Sequence, residues 1–264
     1  MGTMQKIAIC GKGGSGKSTV VRLLAEGFKR RRQTVVIIDS DESNTGLHRM
    51  MGFNQPPASL VDYLGGKQKV EESISARIRS GVSENMVSIM PRELSVDELP
   101  SEYKLEQDGI QFVMVGKILM ALEGCACPIG IVSRSFLRDL RLRPNQVAII
   151  DMEAGVEHFG RGVETSVDCV LAIVEPSLES LEIAGRIGEL SRQINIGDIW
   201  AILNKTTSED MNTALTEVLK NKGLSVIGIL PYSQEVFNSC LKGTPLPPGI
   251  LSAEIDKIID FLFP

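Results

Sequence analysis

Along this 264-residue chain, short apolar runs that end in glycine-rich or acidic turns alternate with stretches of helical periodicity. "KIAIC" (6–10) reads as a strand, "STVVRLLAEGFKRR" (18–31) as a helix and "TVVIID" (34–39) as the next strand. The alternation returns with strands "VAIIDM" (147–152), "CVLAIVEP" (169–176), "IWAILNK" (199–205) and "LSVIGILPY" (224–232). Helical patterns cover 177–193, 208–223 and 252–263. Residues 53–146 are less regular; "MVSIM" (86–90) reads as strand-like, and an apolar run leads up to Cys125. The pattern predicts an α/β fold with a mainly parallel sheet covered by helices on both faces, a single domain over 1–264 with a variable middle. Right-handed crossovers then bring the loops at the carboxyl ends of the strands to one edge, where ligands bind.

Composition changes that picture little. The chain is 43% hydrophobic and 23% charged, as a soluble enzyme would be, and its net charge of −5 argues against a broad nucleic-acid footprint. The basic cluster "KRRR" (29–32) falls at the expected end of the first helix, where cations favour the dipole. The apolar stretch 110–132 is interrupted by Lys117 and Glu123 and reads as buried structure, not as a membrane span. The closing "LSAEIDKIIDFLFP" is mildly acidic, which argues against membrane attachment. Five cysteines form no regular framework and no secretory signal precedes the first strand, so reduced thiols in a cytoplasm are expected.

The chemistry begins at "ICGKGGSGKSTV" (9–20), where Gly11, Gly16, Lys17 and Ser18 complete the phosphate-loop pattern G-x-x-x-x-G-K-[ST] between a strand and a helix. Gly11, Lys12, Gly13, Gly14, Ser15 and Gly16 can turn backbone N–H groups toward phosphate oxygens, aided by the helix start. Lys17 is expected to bridge the terminal phosphates, Ser18 to bind Mg²⁺ and Thr19 to reach the α-phosphate. Asp39 and Asp41 follow the second strand; Asp151 ends a strand expected beside the loop. Asp151 is the expected outer-sphere holder of Mg²⁺, with Gly155 free to turn toward the γ-phosphate. Asp41 is expected to orient the attacking water, against the competing reading of these aspartates as turn or N-cap residues. "LNKTT" places Thr207 where the N-K-x-D motif of GTPases has its aspartate, so Asn204 reading an adenine edge, and hence ATP, is preferred. One residue is left over. Lys12 is a second loop lysine with no obvious work inside one chain.

"GKGGSGKST" resembles the deviant phosphate loop of the MinD, ParA and nitrogenase iron protein family, whose first lysine reaches the nucleotide of a partner subunit. The resemblance implies that Lys12 acts in trans in an ATP-promoted homodimer, by the logic of an arginine finger. "CACP" (125–128), "DMEAGVEHFGRG" (151–162), "VEPS" (174–177) and "LNK" (203–205) are similar to the CooC-type ATPases that mature nickel-containing carbon monoxide dehydrogenase. Most relatives carry a proline where this chain has Glu153. That glutamate and His158 lie in the segment expected to sense the γ-phosphate, and His158 is expected to shape that loop rather than to ligate metal. His48 is expected to be structural.

Cys125 and Cys127 are too few to close a metal site in one chain, but two symmetric subunits would supply a Cys₄ site on their axis. Tetrahedral thiolates suit Zn²⁺ and a flattened S₄ arrangement suits Ni²⁺; the sequence leaves that choice open. Gly124 and Pro128 frame the pair as a loop or a helix start. Burial of the two cysteines is the competing reading; Cys10, Cys169 and Cys240 are expected to be structural. The expected function is therefore a Mg²⁺-dependent, homodimeric ATPase that cycles between ATP and ADP and delivers nickel to carbon monoxide dehydrogenase or a related client enzyme. The alternatives are a positioning ATPase like MinD or ParA and an iron–sulfur redox protein.

Overall fold

The computed structural model describes residues 4–83, 86–91, 93–117 and 127–264. Strand β1 (Lys6–Gly11) runs through the phosphate loop into helix α1 (Lys17–Arg30), and β2 (Thr34–Asp39) follows. Next come the short helices α2 (Leu47–Met50) and α3 (Leu60–Tyr63), then α4 (Lys67–Arg79). An antiparallel pair, β3 (Leu105–Gln107) and β4 (Ile110–Met114), precedes α5 (Cys127–Asp139). The second half is regular: β5 (Gln146–Asp151), α6 (Glu157–Gly160), β6 (Cys169–Val174), α7 (Leu178–Gln193), β7 (Asp198–Thr206), α8 (Glu209–Asn221), β8 (Ser225–Pro231), α9 (Gln234–Lys242) and α10 (Ser252–Leu262).

The eight strands form one sheet in the order β3-β4-β2-β5-β1-β6-β7-β8, parallel except at β3. The side-chain period of two divides its apolar residues between two layers. Ala8, Cys10, Val36, Ile38 and Ile150 face one layer with Phe136 of α5 and Ile187 of α7. Ile7, Ile9, Val35, Ile37 and Ile149 face the other with Leu24 and Phe28 of α1 and Ile259 of α10. Strands covered on both faces read as unbroken apolar runs, which explains the strand signals in the sequence.

The middle of the chain departs from expectation. "MVSIM" is not a strand: Val87, Ile89 and Met90 are buried, but their backbone pairs with no strand. The place beside β2 belongs to β4, drawn from the apolar run before Cys125. A short apolar run signals burial, and only the partner decides whether it joins a ladder. Helix α4 carries little signal because only Val70 and Ile74, one turn apart, are buried.

Register settles where the chemistry gathers. Ile9 pairs with Asp151, and Asp39 also pairs with Asp151, so the carboxyl ends of β1, β2 and β5 deliver the glycine loop and two aspartates to one edge.

Candidate active site at the phosphate loop

The loop between β1 and α1 leaves the first turn of the helix without a side-chain cap or an acidic residue, so its N–H groups face the loop interior. Gly16 sits at φ 98°, and a Cβ there would strike the amide nitrogen of Asn204. That amide donates to the carbonyl oxygen of Ser15 at 2.8 Å, and Asn204 Oδ1 accepts from the N–H of Lys205 at 3.0 Å. Asn204 thus braces the loop from the end of β7. Lys205 takes a left-handed backbone conformation, φ 62°, uncommon outside glycine and asparagine. Its Nζ donates to the carbonyl of Gly14 and to Glu175 Oε2, the latter at 2.9 Å.

On the other side, Ser18 Oγ donates to Asp151 Oδ2 at 2.6 Å and accepts from Asn44 Nδ2 at 2.8 Å. Asp151 is fully buried, and its second oxygen, Oδ1, has no hydrogen-bond partner. A buried acceptor without a donor is costly, and it fits a hydrated Mg²⁺ held between Ser18 and Asp151. Burial pushes the Asp151 carboxyl up to about 7, with the neighbouring charge of Asp39 adding to the effect. Asp39 is itself raised to about 6 by burial, opposed by Lys117, whose Nζ lies 2.7 Å from its Oδ1. Both partners of that pair are almost wholly buried. Lys117 also donates to the carbonyl of Asp41, so one ammonium fixes the turn that follows β2. Asp41 Oδ1 accepts from Ser43 N at 2.9 Å, Ser43 Oγ at 2.6 Å and Asn44 N at 3.2 Å. It is therefore a turn former, and the same turn delivers Asn44 to Ser18.

Lys12 does not extend freely from the loop. Its Nζ lies 3.0 Å from Glu175 Oε1 and 3.4 Å from Glu179 Oε2, at the start of α7. A lysine expected to have no work inside its own chain thus meets two carboxylates there. A half-buried ammonium beside two carboxylates from the β6–α7 corner is held there by charge. Burial alone would raise Glu175, but hydrogen bonds from Lys205 and Lys12 outweigh it and keep the carboxyl below its usual range.

Next to the loop, a cavity of about 390 Å³ opens between Thr19, Asn204 and Lys205 on one side and an apolar wall on the other. Leu23, Pro231, Tyr232, Val236, Phe237 and Leu251 form that wall, which suits a flat heteroaromatic base rather than an anion. Thr19 Oγ1 and Cys240 Sγ, 3.6 Å apart, flank it. Cys240 is exposed, whereas Cys10 and Cys169 are buried in β1 and β6.

The segment after β5 closes over the loop. Gly155, at φ 90°, donates its N–H to the carbonyl of Gly11 at 3.2 Å. His158 is buried, with Nε2 3.2 Å from the carbonyl of Gly155, and burial lowers its pKa to about 4. His158 is accordingly neutral at physiological pH. Glu153 meets Arg161 Nη1 at 2.9 Å, and the same nitrogen reaches Glu42 Oε1 at 3.3 Å. His48 is buried on α2.

Cys125 lies outside the described residues; Cys127 is the first residue of α5, whose side chain is likewise not described. Among the described residues, no group of three or more His, Cys, Asp or Glu is arranged to hold a metal ion, and no helix is long and apolar enough to cross a membrane. Sequence reasoning missed the roles of Lys117, Glu175, Lys205 and Arg161. Lys117 offered one signal, an isolated charge in an apolar run; Glu175, Lys205 and Arg161 lie in the segments "VEPS", "LNK" and "DMEAGVEHFGRG", which mark the family but not the partner of each charge.

Residues 6–246 match the family described as the CobQ/CobB/MinD/ParA nucleotide binding domain. The chain is 38% identical over 257 residues to an uncharacterized ATP-binding protein of Methanocaldococcus jannaschii, covering 97% of this chain and 99% of that protein. It is 36% identical over 203 residues to the carbon monoxide dehydrogenase accessory protein CooC of Rhodospirillum rubrum, covering 77% of this chain and 75% of that protein. In structure it is similar to the MinD cell division protein of Aquifex aeolicus, with a TM-score of 0.67 at 18% identity over 98% of this chain and 96% of that one. The septum site-determining protein MinD of Pyrococcus horikoshii, solved in complex with Mg-ADP, superposes equally well, with a TM-score of 0.67. A phosphate loop braced by Asn204, a buried aspartate on Ser18 and these likenesses agree: the chain is a nucleotide-binding ATPase of the CobQ/CobB/MinD/ParA family, with CooC among its relatives.

Proposed function

We propose that this chain is a homodimeric metallochaperone that uses ATP to load nickel into carbon monoxide dehydrogenase or a related nickel enzyme. The observation that carries this reading is the 36% identity to CooC, together with a Cys-x-Cys at 125–127 in the sequence. ATP is the substrate: its base enters the apolar cavity, its phosphates lie on the loop from Gly11 to Gly16, Lys17 bridges the β- and γ-phosphates and Thr19 meets the α-phosphate. Mg²⁺ would be held by Ser18 directly and by Asp151 through water, where it neutralises charge developing on the transferred phosphoryl group. Asp41, 6% exposed in the turn beside Asn44, orients the attacking water through its second carboxylate oxygen. Asn204 sets the height of the loop under the base.

In the isolated chain Lys12 is held by Glu175 and Glu179. Assembly exchanges those carboxylates for the phosphates of the other subunit, a denser negative charge, and so couples dimer formation to bound triphosphate. The same two-fold axis brings two copies of Cys125 and Cys127 together as the four thiolates that the cargo ion requires. Hydrolysis removes the γ-phosphate, returns Lys12 to its own chain and opens the thiolate site.

Two variants test this. Lys12→Ala is expected to bind ADP normally while losing ATP turnover and ATP-driven dimerisation, read by phosphate release and light scattering. The double variant Cys125→Ser/Cys127→Ser is expected to lose bound nickel or zinc in anaerobic metal analysis while keeping ATP turnover. A monomer that binds one nickel tightly with or without those cysteines would refute the shared-site reading.

A further inference from the structure

Arg161 stands at a junction that nothing in the phosphate-binding chemistry requires. It caps the C-terminus of α6, with its guanidinium turned back between two loops. Nη1 lies 2.9 Å from Glu153 Oε2 and 3.3 Å from Glu42 Oε1. Glu42 directly follows Asp41, and Glu153 lies two residues beyond Asp151. The strands that launch these loops, β2 and β5, are neighbours in register at Asp39 and Asp151. One guanidinium therefore crosslinks the turn assigned to the attacking water to the segment assigned to the metal and the γ-phosphate.

Glu42 is 6% exposed. Burial and the neighbouring Glu153 push its carboxyl up to about 7, and Arg161 draws it down. Without the cation the two carboxyl groups either repel or share a proton, and in both cases the guanidinium tie between the loops is lost.

The stem of Arg161 is located as firmly as its head. Its carbonyl accepts from Arg134 Nη1 at 2.5 Å, and its methylenes lie on Gly130, both residues of α5. A Cβ at Gly130 would stand 2.5 Å from Arg161 Cδ, 3.3 Å from Cβ and 3.4 Å from Cγ, so glycine is the only residue that leaves the stem where it is. Helix α5 begins at Cys127.

We propose that Arg161 is a positioning residue for ATP hydrolysis: it holds the Asp41 turn and the Asp151–Glu153 segment at one fixed spacing, with Gly130 of α5 as its backstop. The proposal rests on the ATPase reading and goes beyond it by assigning the alignment of the two carboxylate loops to one side chain outside the phosphate loop. Binding of the diphosphate uses the loop and the apolar cavity, which Arg161 does not touch; only the step that needs both loops in register depends on it.

The test uses the full chain with Mg-ATP and reads three quantities: turnover by phosphate release, affinity for a fluorescent ADP analogue, and melting temperature. Arg161→Met is expected to lose at least about tenfold in kcat, with ADP affinity within about threefold, since the phosphate and base contacts are left in place. Arg161→Lys, which keeps the charge but not the fork, falls between Met and wild type. Gly130→Ala is the discriminating variant. Alanine in place of a helical glycine favours helix α5, which offsets the crowding of its Cβ against the Arg161 stem, so melting temperature should stay within a few degrees of wild type while kcat falls because the stem is displaced. Turnover of Arg161→Met within twofold of wild type overturns the proposal, and so does a loss of turnover matched by parallel losses of ADP affinity and melting temperature. If wild type itself turns over no ATP, the ATPase reading fails separately. Arg161 is then judged by hydrogen exchange: a non-hydrolysable ATP analogue must protect 41–44 and 153–156 together in wild type and not in Arg161→Met.

Discussion

Replacing Asp151 with asparagine isolates the cost of keeping a carboxylate buried beside the phosphate loop. Asp151 is fully buried, accepts a single hydrogen bond from Ser18 on Oδ2 and leaves Oδ1 without a partner. Burial, followed by the charge of Asp39, raises its pKa to about 7 from the ordinary aspartate value of 3.8. With the folded pKa above the unfolded one, the native chain binds more protons than the unfolded chain between those values. Stability of the nucleotide-free chain therefore falls as pH rises through this window, and the full penalty is present above pH 7. Asparagine does not titrate. The gain in stability of Asp151→Asn over wild type should thus grow between pH 5 and pH 8 by two pH units at about 1.4 kcal/mol each, close to 3 kcal/mol. Relaxation of the site and the shared interaction with Asp39 reduce this, so about 1–3 kcal/mol is expected. The comparison of two pH values cancels the cost of the unpaired amide, which is the same at both. Urea unfolding of the nucleotide-free chain in EDTA, followed by circular dichroism at each pH, measures the difference. A gain that stays flat or shrinks with pH would show that Asp151 is not held against its charge, and the argument for a cation at Oδ1 would fall with it. Adding Mg-ADP should reverse the order at pH 8, stabilising wild type and not the variant.

Other expectations follow from single contacts. Lys117→Met leaves Asp39 buried and unpaired, so stability at pH 8 should drop by about 3–5 kcal/mol, and by less at pH 5, where Asp39 can take a proton; urea unfolding at both values checks this. Glu175→Gln weakens the hold on Lys12 and should lower the protein concentration for ATP-driven dimerisation by about two- to fivefold, read by light scattering; an unchanged midpoint would mean that the intrachain contact does not compete with assembly. Asn204→Ala removes the bond to the Ser15 carbonyl, and ADP affinity should fall by roughly fivefold or more in a fluorescence titration, with the melting temperature of the nucleotide-free chain changing little.

Local rules carried the reading wherever the chain solves a local problem. Buried parallel strands must be apolar throughout, so β1, β2, β5, β6, β7 and β8 announced themselves in the sequence. A loop that wraps phosphate needs glycines and a lysine before a helix, so residues 11–19 could be found by spacing alone. The middle was opaque because burial of Val87 and Met90 and pairing of β4 look alike as apolar runs, and only the tertiary contacts decide which run lies beside β2. The charge partners were opaque for a second reason. Lys12 and Glu175 are separated by 163 residues, Arg161 and Glu42 by 119, and Lys117 and Asp39 by 78. No local pattern records such pairs; only the sheet, which brings the carboxyl ends of its parallel strands to one edge, makes them neighbours. Spacing and apolar runs alone reveal a nucleotide loop and the strands that mount it. Which charge answers which emerges from the fold, because the energy of an ion pair depends on distance in space and not along the chain.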